Sequence, residues 1–404
     1  MPTALYSLPA EEAVVALARE LVRIPTVNPP GSEAPGARVV EAWLRECGFE
    51  TTVVPYGEGR AHAVGRLRGS GERPGLLFSG HLDVVPPGEV AWQRDPFSGA
   101  LEEGRLWGRG ACDMKGGVAA LLVAAREMAF SPRLRRGQDR SPLRGDLTVA
   151  ITADEERGCL GAAALAQAPL FAGLGAALVA EPTGLDLFIT EKGALWLQVE
   201  MFGKTAHGSM PEMGANAIAA MVDLLACLER EIGAGGSLRT GVPEHPLLGA
   251  PTMNIGTIAG GVKPNVVADR CVAELDFRTV PGLPNDDLLR RVEALARAVA
   301  ARRPGIRHLL TCRATCEPVA CPPDSPLATA LRESVRAVTG DEPRVGGVPY
   351  VTEACVWVPR LGMQMVICGP GDPKIAHQPD EYVEVRQLAQ AVEIYRRAAE
   401  QLLL

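Results

Sequence analysis

The sequence predicts an α/β protein, a mostly parallel sheet with helices on both faces, into which a second α+β domain of ferredoxin-like type is inserted. Three observations carry that expectation. Strand-length apolar runs alternate with helix-length amphipathic ones between about residues 51 and 181 and again from 325 onward, as in a parallel sheet covered on both sides. Between these stretches the order changes to strand, helix, two strands, helix, strand, the split arrangement of a ferredoxin-like unit. Histidines and carboxylates recur just after the strands, where open sheets of this kind bind their ligands.

Taken in order, Val14, Val15, Leu17, Ala18, Leu21 and Val22 fall at helical spacing. So do Val39, Val40, Trp43, Leu44 and Cys47, where Gly48 supplies a stop. Strands are expected at 51–55, 62–67 and 75–79, and a helix at 118–128. The segment 131–145 carries Arg133, Arg135, Arg136, Arg140 and Arg144, but glycine and proline break it and no aromatics interleave. It reads as a solvated loop rather than a basic recognition patch. A strand at 146–152, a helix at 158–168 and a strand at 175–180 follow. The inserted domain is expected to contain strands at 194–202, 252–258, 266–278 and 307–315, with helices at 215–232 and 286–299. The first domain then resumes with a helix at 325–338, a strand at 364–368 and a closing helix at 385–402. The expected division is therefore 1–192 and 318–404 for the first domain and 193–317 for the insertion.

A chain of 404 residues exceeds one ordinary core. With 47% hydrophobic and 22% charged residues, it has the composition of a soluble globular protein. No stretch approaches the roughly 18 apolar residues of a membrane span. The first residues lack the basic-then-apolar order of a signal peptide, so a cytoplasmic location is expected. The net charge of −7 argues against a nucleic-acid partner. The ten cysteines are scattered without zinc-finger spacing and read as reduced, partly buried thiols.

The stretch 80–117 organises the rest. The apolar run 75–78 delivers His81 and Asp83 past its end, and residues two apart on an extended chain point the same way. That spacing suits a metal-ligating histidine and a carboxylate that orients its ring. Asp113 follows in the glycine-rich turn 108–110, just before a helix, and Glu155, Glu156, Glu181 and His377 again sit at strand ends or in the turns beside them. An HxD pair alone is a weak signal, and an acidic pair alone is commonly solvated surface. Recurrence of the whole set at strand ends is the stronger observation. Two imidazoles with carboxylates suit zinc, cobalt or manganese better than calcium or magnesium. Two ions fit the donor count better than one, with Asp113 shared. Adjacent Glu155 and Glu156 cannot both face the ions on an extended chain, so one ligates and the other stands off as a general base.

With these residues in hand, the chain resembles the zinc-dependent family of acetylornithine deacetylases, succinyl-diaminopimelate desuccinylases, aminoacylases and glutamate carboxypeptidases. The resemblance runs through SGHLDVVPPG, DPFSG, GRGACDMKGG, ADEERG, EPTG, KTAHGSMPEMGANAI and GPGDPKIAHQPDEYV. It implies that Asp113 bridges two metal ions, that His81 and Glu181 hold one, and that Glu156 and His377 hold the other. It implies Glu155 as general base, Asp83 as the group that orients His81, and a cis peptide after Asp113. It implies that the inserted domain is a dimerisation lid whose His207 reaches the partner subunit's active site to stabilise the oxyanion. Arg278 and Asn265 would bind the substrate's carboxylate and polar groups, and Lys192, Gly193 and Thr352 match pocket positions more loosely. Glutamate at 181 resembles the deacylase and carboxypeptidase branches, and TEACVW followed by AHQPDEYV resembles acetylornithine deacetylase more than the desuccinylase. The function implied is hydrolysis of an N-acyl amino acid. Desuccinylation, carboxypeptidase action on short peptides, and a non-catalytic metal-stabilised binding module are the alternatives.

Overall fold

The computed structural model describes residues 6–132, 135–136, 139–140, 143–231, 233–234, 237–238 and 244–404. The chain divides into two units, one of Met1–Ile189, Ala320–Gly346 and Thr352–Leu404, the other of Thr190–Val319 and Gly347–Val351.

In the first unit, Gly75–His81 is buried along its whole length, which is why its sequence shows no polar alternation. It lies between Leu147–Thr152 and Leu174–Val179, and Gln364–Ile367 follows on the far side of the latter. All four run parallel. Arg60–Leu67 and Glu50–Gly57 extend the sheet antiparallel on one side, and Leu187–Glu191 does so on the other. His81 stands level with Thr152, and Ser79 with Val179, so the three central strands end together. That alignment brings residues far apart in sequence to one rim.

Gly116–Ala129 is the central helix of the layer formed with Ala10–Val22, Ala34–Glu46 and Val385–Leu403, and all of its residues except Glu127 are buried. Its alanine-rich, all-round apolar surface suits a helix enclosed by neighbours. The double glycine that opens it has a steric reason, because a Cβ at Gly117 would collide with the carbonyl of Ala180, next to Glu181. Leu160–Leu165 and Ala354–Leu361 form a second, smaller layer. There, a Cβ at Gly161 would collide with the carbonyl of Ala153, so glycine lets this helix press on the strand end that precedes Glu155.

In the second unit, Gly193–Phe202 lies between Arg270–Thr279 and Arg307–Cys316, antiparallel to both, and Thr252–Gly260 pairs beyond Arg270–Thr279. Helices Ala217–Glu231 and Asn285–Arg302 pack on this sheet around a core that includes Leu197, Val199, Leu224, Phe277 and Val292. The order of strands and helices is the split one expected.

Several short elements escaped the sequence. Leu187–Glu191 is a sheet strand, and Ala354–Leu361 is a helix despite Pro359 in its last turn. Ala100–Glu102, Arg105–Trp107 and Tyr382–Glu384 make a separate small sheet. The helix expected at 158–168 is shorter, Leu160–Leu165, and the strand expected from 266 begins at Arg270. Within the arginine-rich segment, Arg135–Arg136 pairs with Asp139–Arg140, Arg144 pairs with Glu72, and Arg133 lies outside the described residues. Ile232, the expected end of a helix, also lies outside them. No disulfide links the cysteines, and of these only Cys312 is exposed. Among the described residues, no helix is long and apolar enough to cross a membrane.

Candidate metal centre

The aligned strand ends bring five of the expected donors together. His81 closes its own strand, and its Nε2 lies 3.3 Å from Asp113 Oδ1 and 3.4 Å from Glu181 Oε1. His377, in the loop after Gln364–Ile367, places its Nε2 3.3 Å from Asp113 Oδ2 and 3.2 Å from Glu156 Oε2. The two oxygens of Asp113 thus face one imidazole each. The centre has two halves, His81 with Glu181 and His377 with Glu156, and Asp113 is common to them. Glu155 stands beside the first half, its Oε2 4.0 Å from His81 Nε2.

Charge explains why the cluster is under electrostatic tension. Burial, and then the Asp113 charge, push the Glu181 carboxyl up to about 8. Burial raises Glu155 well above the usual carboxylate range, with Glu181 and Glu156 adding to it against the pull of His81. For Asp113 burial acts the same way, but hydrogen bonds from His377 and His81 overcome it and hold the carboxyl below its ordinary value. Hydrogen bonds to Asp113 and Glu156 push His377 up to about 10. In His81 the bonds to Asp113 and Glu181 outweigh burial and raise it as well. Buried carboxylates of like charge need positive charge among them.

Other side chains fix these donors in place. The Nδ1 of His81 meets the main-chain carbonyl of Asp83 at 2.9 Å, while the Asp83 carboxylate is 3.6 Å from that nitrogen. The expectation put the carboxylate against the ring. The structure instead gives the ring to the carbonyl, because the carboxylate accepts the N–H groups of Glu155 at 3.0 Å and Glu156 at 3.1 Å. On the other side, Glu381 Oε1 accepts the N–H groups of Cys112 at 2.9 Å and Asp113 at 3.0 Å. Its second oxygen takes Arg109 at 2.5 Å, and Arg109 also reaches the carbonyl of His377 at 3.4 Å. One buried ion pair therefore steadies donors from two loops. The peptide between Asp113 and Met114 is cis. Behind the strands, Glu353 accepts from Ser79 and Thr152, the residues two before His81 and Asp154.

The remaining expected residues are distributed over both units. Thr352 belongs to the first, where it is buried and its hydroxyl accepts the N–H of Ala354 at 3.2 Å to open a helix. In the second unit, His207 is exposed and its Nδ1 lies 2.7 Å from Ser209 Oγ. Arg278 is paired with Asp276 at 3.0 Å, Asn265 is exposed, and Lys192 donates to the carbonyl of Ala250 at 2.6 Å. Gly193 has a packing role as well, since a Cβ there would collide with Thr279 and with the carbonyl of Cys316. Sequence reasoning missed Glu381, Arg109, Glu353, Asn28 and Asp154. All but Asn28 lay inside motifs already singled out, Arg109 in GRGACDMKGG, Asp154 in ADEERG, Glu353 in TEACVW and Glu381 in GPGDPKIAHQPDEYV, and only the question of what their side chains bond would have found them.

Residues 77–401 match the family described as Peptidase family M20/M25/M40. This chain belongs to that family. Among relatives of this M20/M25/M40 chain, an acetylornithine deacetylase of Proteus mirabilis (strain HI4320) is 32% identical over 385 residues, 92% of each chain. Among solved structures, the M20 family metallo-carboxypeptidase Sso-CP2 of Sulfolobus solfataricus superposes with a TM-score of 0.78 at 19% identity, covering 96% of this chain and 98% of that one. The Bacillus subtilis YXEP protein, described as a dinuclear metal-binding peptidase of the M20 family, gives 0.72 at 16% identity over 98% of each chain. As a member of the M20/M25/M40 family, the chain is a metal-dependent hydrolase of amide bonds.

The donors of this M20 chain fit such an ion on geometry alone. Ligands about 2.0–2.1 Å from a tetrahedral zinc are separated by roughly 3.3 Å, the edge of the tetrahedron. The donor separations in both halves, 3.2 to 3.4 Å, match that edge. Imidazole with carboxylate is also the donor chemistry of zinc, cobalt and manganese.

Proposed function

We propose that this chain removes the acyl group from an N-acyl amino acid, with N-acetylornithine the first candidate, using two divalent ions, zinc in the first instance and cobalt or manganese as substitutes. The shared position of Asp113 between two imidazole–carboxylate pairs carries this reading. His81, Glu181 and Asp113 would hold one ion, and His377, Glu156 and Asp113 the other. When bound, such ions polarise the scissile carbonyl and acidify water.

Glu155 is the general base. Its carboxyl is buried beside the donors without being held by a second imidazole, and its raised proton affinity suits a group that takes a proton from the attacking water. The same carboxyl then gives that proton to the leaving nitrogen, so the products are a carboxylate and a free amine. Asp83 holds the backbone of Glu155 and Glu156 and, through its carbonyl, the ring of His81. His207 reaches the partner subunit's active site, where it stabilises the oxyanion. Arg278 and Asn265 bind the substrate's carboxylate and polar groups, with Lys192, Gly193 and Thr352 lining the pocket. Residues 1–192 and 318–404 act as the catalytic domain and 193–317 as a lid.

The lid also makes a homodimer in this reading. Ile218 and Val222 on the helix Ala217–Glu231, and Ile258 and Val262 at the end of Thr252–Gly260, leave apolar surface exposed. Among the described residues, the outer side of that strand is paired only at Thr252. An exposed apolar edge of this kind is a surface for a second copy. The enzyme is assigned to the cytoplasm.

The reading is tested by amine release from N-acetyl, N-succinyl and peptide substrates, with metal-loaded wild type and Glu155→Gln in parallel. Preferred cleavage of N-acetylornithine, abolished by the substitution, is expected. Preference for N-succinyl-diaminopimelate or for peptides would move the assignment to the desuccinylase or carboxypeptidase alternative. No cleavage of any substrate by the metal-loaded protein would leave a binding module.

A further inference from the structure

Asn28 lies in the loop between Ala10–Val22 and Ala34–Glu46, is 2% exposed, and belongs to no expected ligand set. Its side-chain nitrogen Nδ2 donates to Asp83 Oδ2 and to Asp154 Oδ1, each at 2.8 Å. These two carboxylates control the turn that carries Glu155 and Glu156. Asp83 accepts both of their N–H groups. Asp154 directly precedes them and is held at a left-handed φ of 62°. Tyr56, through its hydroxyl at 2.7 Å, and Arg60 at 3.0 Å also bond Asp154, but neither is hydrogen-bonded to Asp83. Asn28 alone among these three joins the two carboxylates.

The chemistry of the contact is specific to an amide. A primary amide offers two N–H donors on one atom, whereas a hydroxyl offers a single hydrogen and an ionised carboxylate none. The carbonyl end of the same amide could not take this place, because it would face two anions, so charge fixes which way the group points. The amide is also neutral. It draws Asp83 and Asp154 together while leaving both Asp83 oxygens as acceptors for the N–H groups of Glu155 and Glu156.

We infer that Asn28 is a positioning residue for the hydrolytic reaction: by tying Asp83 to Asp154 it sets the backbone turn that sends Glu155 and Glu156 to different places. This rests on the reading of Glu155 as the base. Consecutive side chains separate cleanly only when the backbone between them is fixed. Without the tie, Asp83 and Asp154 repel across the turn, and the carboxyl of Glu155, 4.0 Å from its nearest imidazole, loses its placement before that of Glu156, which His377 meets at 3.2 Å. The consequence is a fall in turnover without loss of metal or of substrate binding.

The experiment uses the full-length, metal-loaded protein and compares Asn28→Ala, Asn28→Ser, Asp154→Ala, the double variant Asn28→Ala/Asp154→Ala, and Glu155→Gln. Metal content and thermal unfolding are recorded beside kcat and KM. For Asn28→Ala the expected result is a kcat lowered by about 10- to 100-fold, the scale of a small misplacement of a reacting group. KM and metal content stay at their wild-type values. The losses from Asn28→Ala and Asp154→Ala are expected not to add, because the two residues act through one contact. Asn28→Ser, which keeps a polar side chain but one hydrogen, carries the same expectation should the alanine variant fail to fold. Unchanged kcat, additive losses, or a fall in metal content or rise in KM that accounts for the lost activity would each overturn the inference. If Glu155→Gln stays active, the base assignment fails instead, and the two failures are told apart by that variant.

Discussion

The two units commit their polar side chains in opposite ways. In the first, three of the five expected ligands are held by fixed partners, His81 by the carbonyl of Asp83, Asp113 by Glu381 and Glu156 by Asp83, while His377 keeps about half of its side chain exposed. In the second, His207 and Asn265 stand exposed, and Arg278 spends its charge on a neighbouring aspartate. The difference follows from what each group must do. Buried carboxylates of one sign repel and have to be built in place before an ion arrives. In the roles proposed for them, His207, Asn265 and Arg278 would have to exchange one partner for another on meeting a substrate, which a rigid, fully satisfied environment would prevent.

Substitutions that break the first pattern should hurt most. Glu155→Gln removes the proposed base while leaving the main-chain bonds to Asp83 intact. The expected loss in kcat is about 10²- to 10⁴-fold, the usual range for a general acid–base group. Metal content measured by plasma mass spectrometry should not change. Retained activity in that variant would mean that another group takes the proton.

Glu381→Ala attacks the support rather than the chemistry. It strands Arg109 as an unpaired buried charge, and breaking a buried pair from one side costs about 3–5 kcal/mol. A lowered unfolding temperature together with weakened metal binding is expected, since Glu381 holds the backbone at Asp113. Unfolding at the wild-type temperature would show that the pair is dispensable.

In the second unit the effects are smaller and fall on different quantities. Arg278→Ala should raise KM by about 10- to 100-fold, the worth of one hydrogen bond to a charged group. Its kcat at saturation should stay close to wild type. A fall in kcat with KM unchanged would give Arg278 a role in the transition state. The mildest expected change is Ile258→Asp on the exposed strand edge. Analytical ultracentrifugation should show the proposed dimer for the wild type and a monomer for the variant, and an unchanged dimer would place the interface elsewhere.

How much of this was legible in the sequence also divides along chemical lines. That His81, Asp113, Glu156, Glu181 and His377 would come together was readable, because polar side chains recurring after the strands of one open sheet meet at one rim. The order of elements in the inserted unit was readable from periodicity. The supports were not. Glu381 acts on main-chain N–H groups of Cys112 and Asp113, and Asn28 on Asp83 and Asp154, across separations that no local pattern encodes. Asp83 was found but given the wrong atom, since alternation says which way a side chain points and not that its own carbonyl will reach the ring first. Leu187–Glu191 and Ala354–Leu361 were missed because five residues are too few for a period and Pro359 argues against a helix.

The most direct test of the shared centre is the metal content per chain of wild type, Glu181→Ala, Glu156→Ala and Asp113→Ala, each loaded with zinc and freed of excess. Two ions in the wild type, one in each glutamate variant and none held tightly after Asp113→Ala is the expected series. Two ions retained by Asp113→Ala would contradict a centre built on one bridging carboxylate.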